Sequence, residues 1–132
     1  MFARWFGSSS AKKTEIEIYA HIDVGYNNAV FIMGNHQKLG DCLELHRLEC
    51  VADTGNLWKI PLAACVAGSY FSFKIGPYGD EKNSVRKITS QDHYMTSTSS
   101  FQFNKEAKQE FDLQIKNGHV EAKPSSVLPR LK

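Results

Sequence analysis

The stretch Val30-Phe31-Ile32-Met33-Gly34-Asn35-His36-Gln37-Lys38-Leu39-Gly40-Asp41 decides how the chain is read. An apolar run of β-branched and aromatic residues stops at Gly34, and Leu39 then stands between polar residues and a second glycine, Gly40. That order is a buried strand running into a tight surface loop. Binding groups collect on loops of this kind, because a rigid strand positions them.

Working upstream, Ile16, Ile18, Ala20, Ile22 and Val24 alternate with Glu15, Glu17, Tyr19, His21 and Asp23, the period of a strand with one wet face. Gly25-Tyr26-Asn27-Asn28 breaks the alternation, and Ala29 to Met33 forms the next strand. The short connection predicts a hairpin-like pair. Before Thr14, residues 1–13 combine Phe2, Trp5 and Phe6 with Arg4, Lys12 and Lys13 around Gly7-Ser8-Ser9-Ser10. They read as a flexible arm, with a short interfacial anchor or a targeting signal as the alternatives. Six residues before the glycine are too few to hold a membrane, so no stable membrane insertion is expected.

Working downstream, Cys42 to Val51 carries Leu43, Leu45 and Leu48 at mixed spacing and is left unassigned. Asp53-Thr54-Gly55-Asn56 is a turn by composition. Leu57 to Leu62 reads as a strand ending near Pro61. Ser69 to Ile75 is a further strand, with Phe71, Phe73 and Ile75 on one face and Tyr70, Ser72 and Lys74 on the other. Gly76 to Gln91 is polar and turn-rich. Tyr94 to Thr98 and Ser99 to Phe103 read as short strands, and Lys105 to Gln109 as a helical turn. Phe111, Leu113 and Ile115 mark the last clear strand, Asn117-Gly118 is a hairpin turn, and His119 to Ala122 is the return arm. Many short strands with turn signals between them make an all-β chain, an antiparallel β-sandwich or barrel. Residues 14–122 form this single domain, and 123–132 read as a tail or linker, so that the chain is expected to be a module of something longer.

Sixteen Lys and Arg against fourteen Asp and Glu leave a net charge of +2 in 132 residues, without a basic cluster, so nucleic acid is not an expected partner. Cys42, Cys50 and Cys65 lack the spacing of a zinc or redox motif and are read as small, largely buried thiols in a reducing compartment. With no apolar run of transmembrane length and no signal-peptide pattern, a cytoplasmic location is the default. The five histidines show no metal-ligand spacing, and no nucleophile elbow, phosphate loop or marked carboxylate pair is present. No catalytic residue, metal or cofactor is assigned.

The succession of a strand ending in glycine (Val30 to Gly34), then Leu39-Gly40-Asp41, then Leu57-Trp58-Lys59-Ile60-Pro61, then Phe71-Ser72-Phe73-Lys74-Ile75 resembles starch-binding domains, the carbohydrate-binding modules of family twenty. The similarity runs from about Thr14 to Val120. It implies an immunoglobulin-like antiparallel sandwich that binds α-glucan chains without cleaving them, through aromatic rings stacked on the apolar C–H faces of sugars.

The resemblance also shows departures. In the family's first site a tryptophan follows the Gly-Asp pair, where this chain has Cys42, and a second tryptophan falls near Lys87. Only Lys74 matches that site's lysine. In the second site Tyr26 and Trp58 match two of three aromatics, and the third falls near Val51. Trp58 also has a plain alternative as a core residue of an apolar strand, and Tyr26 as a turn tyrosine. The expected carbohydrate-binding residues are therefore Tyr26, Trp58 and Lys74, with weak glucan binding and a degenerate first site.

Two readings follow. One is an accessory module that tethers a partner or a C-terminal catalytic domain to glycogen or starch. The other is a ligand-poor regulatory or protein-interaction module of a larger enzyme, for which glycerophosphodiester phosphodiesterases with an N-terminal domain of this type are a host by resemblance.

Overall fold

The computed structural model describes residues 15–51, 56–94, 98–101 and 108–124. Their strands are β1 (Glu15–His21), β2 (Asn28–Gly34), β3 (Glu44–Arg47), β4 (Glu49–Cys50), β5 (Leu57–Ala63), β6 (Tyr70–Pro77), β7 (Val85–Lys87), β8 (His93–Tyr94), β9 (Ser99–Ser100), β10 (Lys108–Lys116) and β11 (His119–Pro124). One sheet has the order β11-β10-β1-β5-β4. The other has the order β7-β3-β2-β6-β8, with β9 also paired to β6. Together they form an all-β, sandwich-like fold in which antiparallel pairs dominate, as the strand pattern requires. β1 and β10 are the exception, running parallel.

The core fills from both sheets. Ile16, Ile18 and Ala20 of β1 are fully buried, as are Val30, Ile32 and Phe73 of the opposing sheet. Each such isoleucine, valine or phenylalanine side chain contributes about 1.5–3 kcal/mol by leaving water. Phe71 stacks on Phe101 with ring centroids 4.2 Å apart and meets Phe111 edge-on at 5.7 Å, which ties β6 to β10 across the sandwich.

The loop after β2 shows why the sequence turns at Gly34. A Cβ at Gly34 would run into the Tyr70 carbonyl and the Leu39 side chain, so only glycine lets β6 and the buried Leu39 close on it. The backbone then winds through a short 3-10 segment, Gln37–Cys42, in which Gly40, Asp41 and Cys42 all have positive φ (87°, 52° and 62°).

Several expectations are corrected. β1 and β2 do not pair as a hairpin. β1 hydrogen-bonds β5 and β10, whereas β2 hydrogen-bonds β3 and β6, so residues 22–27 carry the chain from one sheet to the other. Local alternation is the same for either partner, and burial of both apolar faces in one core decides between them. β5 does end near Pro61, at Ala63, one residue beyond the expected Leu62, and β4 pairs only Trp58 and Lys59 and asks nothing of the proline nitrogen. Lys108 and Gln109 belong to β10 and not to a helical turn. The unassigned stretch after Cys42 supplies β3 and β4, and the return arm β11 continues to Pro124. The three cysteines are all exposed and free: Cys42 in the positive-φ turn, Cys50 on the edge strand β4, and Cys65 in a 3-10 turn at Ala64–Val66. The N-terminal arm, residues 53–55 of the Asp-Thr-Gly-Asn turn and the tail beyond 124 lie outside the described residues.

Candidate functional site

Tyr26 sits on the segment that crosses between the sheets. The Asp23 carboxylate accepts the Gly25 N–H at 3.0 Å, the Asn28 side-chain amide donates to the Val24 carbonyl at 3.0 Å, and Gly25 and Asn27 take positive φ. These bonds hold a tight turn, and Tyr26 at its apex is 90% exposed. The Tyr78 N–H donates to the Asn27 carbonyl at 2.8 Å, so the turn is pinned to the segment that follows β6. Between them lies a depression of about 680 Å³ lined by Tyr26, Asn27, Pro77, Tyr78, Gly79 and Glu81.

Arg47 borders the neighbouring depression and holds Tyr78 from that side. Its guanidinium lies 4.0 Å above the centre of the Tyr78 ring, Nη1 donates to the carbonyls of Tyr78 (3.1 Å) and Asp80 (2.9 Å), and Nη2 reaches that of Glu81 (3.4 Å). One side chain at the end of β3 thus organises residues 78–81. That second depression, of about 590 Å³, is bordered by Arg47, Tyr78, Glu49, Trp58, Lys59 and Ser84 among others.

The three residues expected from the sequence are placed unequally. Tyr26 is open to solvent. Trp58 is 5% exposed and packs in the core, its indole N–H donating to the Ile22 carbonyl at 3.1 Å, and it borders the second depression as a wall. Lys74 borders neither depression. It lies on the outer face of the six-stranded sheet, opposite Phe31 on one side and Tyr94 on the other, and it is buried. Burial pushes its ammonium below the ordinary lysine value, and Asp92 and Cys42 partly oppose that. The structure thus brings Tyr26 and Trp58 to neighbouring depressions that share Tyr78, and keeps Lys74 apart.

The loop that the resemblance assigns to the first site borders a smaller depression of about 400 Å³ lined by Gln37, Gly40, Asp41, Leu43, Glu44 and Lys87. Glu44 and Lys87 face each other across the β3–β7 pair. Leu43, 72% exposed, is the apolar side chain of that lining. Val51 is half-buried beside β5, where its N–H bonds the Leu57 carbonyl at 2.7 Å.

Sequence reasoning missed Tyr78 and Arg47. Pro77-Tyr78-Gly79 reads as turn punctuation, although an aromatic between turn residues is also the context of Tyr26. Arg47 gives no local signal, since its partners lie more than thirty residues away along the chain.

Other side-chain pairs lie away from these depressions among the described residues. Arg86 and Asp92 are joined at both ends, Nη1 to Oδ2 at 3.0 Å and Nη2 to Oδ1, with the Thr89 N–H also donating to Oδ2 at 2.7 Å. His21 Nε2 lies 3.0 Å from Glu110 Oε1. Among the described residues no group of three or more His, Cys, Asp or Glu side chains is placed to hold a metal ion. None of their helices is long and apolar enough to cross a membrane.

No protein-family model matches the chain, and no curated protein matches it. Among solved structures, the chain is similar to a glycoside hydrolase family 15 glucoamylase from Hypocrea jecorina, with a TM-score of 0.41 and 18% identity. That match covers 75% of this chain and 17% of the glucoamylase.

Proposed function

We propose that the chain is a non-catalytic carbohydrate-binding module for α-glucan chains of the starch and glycogen type, working through Tyr26 with a reduced first site. The observation that carries this reading is the 90% exposure of Tyr26 on a turn fixed by its own hydrogen bonds and by the Asn27–Tyr78 link. A solvent-facing ring on a fixed turn beside a depression is what an apolar sugar face stacks on, and Asn27 and Glu81 stand at its rim to meet hydroxyl groups. In this scheme Trp58 holds the turn from beneath, through its bond to Ile22. Lys74 acts from within the sheet face near Cys42, not as an open sugar contact. The first site, with Cys42 and Lys87 where the resembled family has tryptophans, contributes little.

Electrophoresis in native gels cast with glycogen or soluble starch tests this. The chain is expected to be retarded relative to a sugar-free gel, and Tyr26→Ala to migrate equally in both. Equal migration of the unmodified chain with and without polysaccharide would count against the reading.

A second reading has an observation of its own. Leu43 exposes an apolar side chain in the first-site depression beside Asp41, Glu44 and Lys87, a mixture suited to a protein partner. This is the regulatory or interaction module of a larger enzyme, such as a glycerophosphodiester phosphodiesterase. Substitution Leu43→Asp is expected to abolish any such association while leaving retardation by glycogen intact.

A further inference from the structure

We infer that Tyr70 is a separate glucan contact, set at the opposite end of the β2–β6 pair from Tyr26, through which one chain holds a polysaccharide at two points. This rests on the α-glucan reading and adds to it a residue and a preference for large ligands.

Tyr70 opens β6 and is 57% exposed. Its backbone is engaged within the fold: the N–H donates to Asn35 Oδ1 at 2.8 Å, and the carbonyl accepts the Asn35 N–H at 3.1 Å. The area it shows to solvent therefore lies mainly in the ring-bearing side chain. The same two bonds, with the pairing of Tyr70 to Ser100 of β9, hold the base of that side chain in place before a ligand arrives. Less ordering then remains to oppose binding.

The immediate neighbours suit a sugar. Ser100 stands directly opposite Tyr70 in an antiparallel pair, which sets the two Cβ atoms about 4.5–5.5 Å apart on one face. Asn35 is exposed, and because its Oδ1 accepts the Tyr70 N–H, its Nδ2 is the end left to donate to a ligand oxygen. A ring flanked by a hydroxyl and an amide offers stacking to the C–H face of a glucose residue and hydrogen bonds to its hydroxyl groups.

Phe71 pairs Gly34 and Pro77 pairs Asn28, so Tyr70 lies past one end of the β2–β6 pair and Tyr26 past the other. The eight residues of β6 separate these ends by roughly 23 Å. A cyclodextrin does not reach across that span, whereas glycogen presents many chains to both ends at once. Tyr70 lines none of the three depressions described above, so its contact is weak alone. It counts once Tyr26 holds the polysaccharide, because the second contact then forms at a raised effective concentration.

The test is retardation in native gels of graded glycogen content, beside calorimetric titration with β-cyclodextrin, on the unmodified chain, Tyr70→Ala, Tyr70→Thr and Tyr70→Phe. Thermal unfolding is checked for each, and Tyr70→Thr supplies a ringless variant that favours a strand. Both ringless variants are expected to bind glycogen about tenfold more weakly, the worth of one stacked ring, with β-cyclodextrin affinity unchanged. Tyr70→Phe should match the unmodified chain on both ligands. Undiminished glycogen retardation in a folded ringless variant, or an equal loss on glycogen and β-cyclodextrin, overturns the Tyr70 contact while the Tyr26 reading stands. Absence of binding to either ligand by the unmodified chain overturns both.

Discussion

The indole N–H of Trp58 donates to the backbone carbonyl of Ile22 at 3.1 Å, and the Ile22 N–H in turn donates to the Asn56 carbonyl at 2.9 Å. These two bonds fasten the segment that crosses between the sheets to the start of β5. The turn that presents Tyr26 begins three residues after Ile22, so the tryptophan acts on the exposed tyrosine through the fold.

Trp58→Ala is therefore expected to destabilise the chain by about 3–5 kcal/mol, through a lost aromatic payload and a cavity beneath the turn. Trp58→Phe should cost less, about 1–3 kcal/mol, mainly because the Ile22 carbonyl loses its donor. Urea unfolding followed by circular dichroism measures both. A Trp58→Ala chain of unchanged stability that has lost glucan binding would make Trp58 a sugar platform instead.

Asp92 and Arg86 predict a response to acid. Burial by itself raises the Asp92 carboxyl, but the Arg86 and Thr89 hydrogen bonds and the Arg86 charge outweigh it and leave the group below its ordinary value. A carboxylate depressed in the folded state stabilises fully above its unfolded value, about pH 3.9, and that contribution drains away as pH falls through the lower folded value. Asp92→Asn should remove this part of the acid transition and cost up to about 3–5 kcal/mol at neutral pH, since Arg86, with its side chain 15% exposed, would lose its carboxylate and keep only carbonyl and ring contacts for its charge. Gly76→Ala should act on the same pair, because a Cβ at Gly76 would displace the Asp92 carboxylate. Stability measured from pH 2 to 7 checks this, and identical acid profiles for Asp92→Asn and the unmodified chain would contradict it.

Exposure of Cys42, Cys50 and Cys65 predicts that a chromogenic disulfide reagent titrates three thiols in the native chain, without denaturant. Reaction of fewer than three until urea is added would restore the buried thiols expected from the sequence.

Much of the fold was legible because its signals are local. Period-2 alternation at Ile16, Ile18 and Ala20 and again at Phe71, Phe73 and Ile75 marks strands whose apolar faces are buried. Asn117-Gly118 marks a hairpin whose two residues do take positive φ, 56° and 82°. What was not legible is relational. Nothing in β1 says that it pairs β5 and β10 in place of β2, nothing near Cys50 says that β4 is an edge, and nothing near Arg47 says that it will cap a tyrosine thirty-one residues on. The candidate site divides in the same way. Tyr26 could be named from its turn, whereas the shared border at Tyr78 exists only after the two sheets close.

The measurement that bears most directly on the account is calorimetric titration of the chain with β-cyclodextrin, beside Tyr26→Ala. The account predicts saturable binding in the millimolar range or tighter, weakened about tenfold or more in a variant that unfolds at the same temperature, because one stacked ring contributes about 1–2 kcal/mol. Equal affinity in the two chains, or no heat from either, would contradict it.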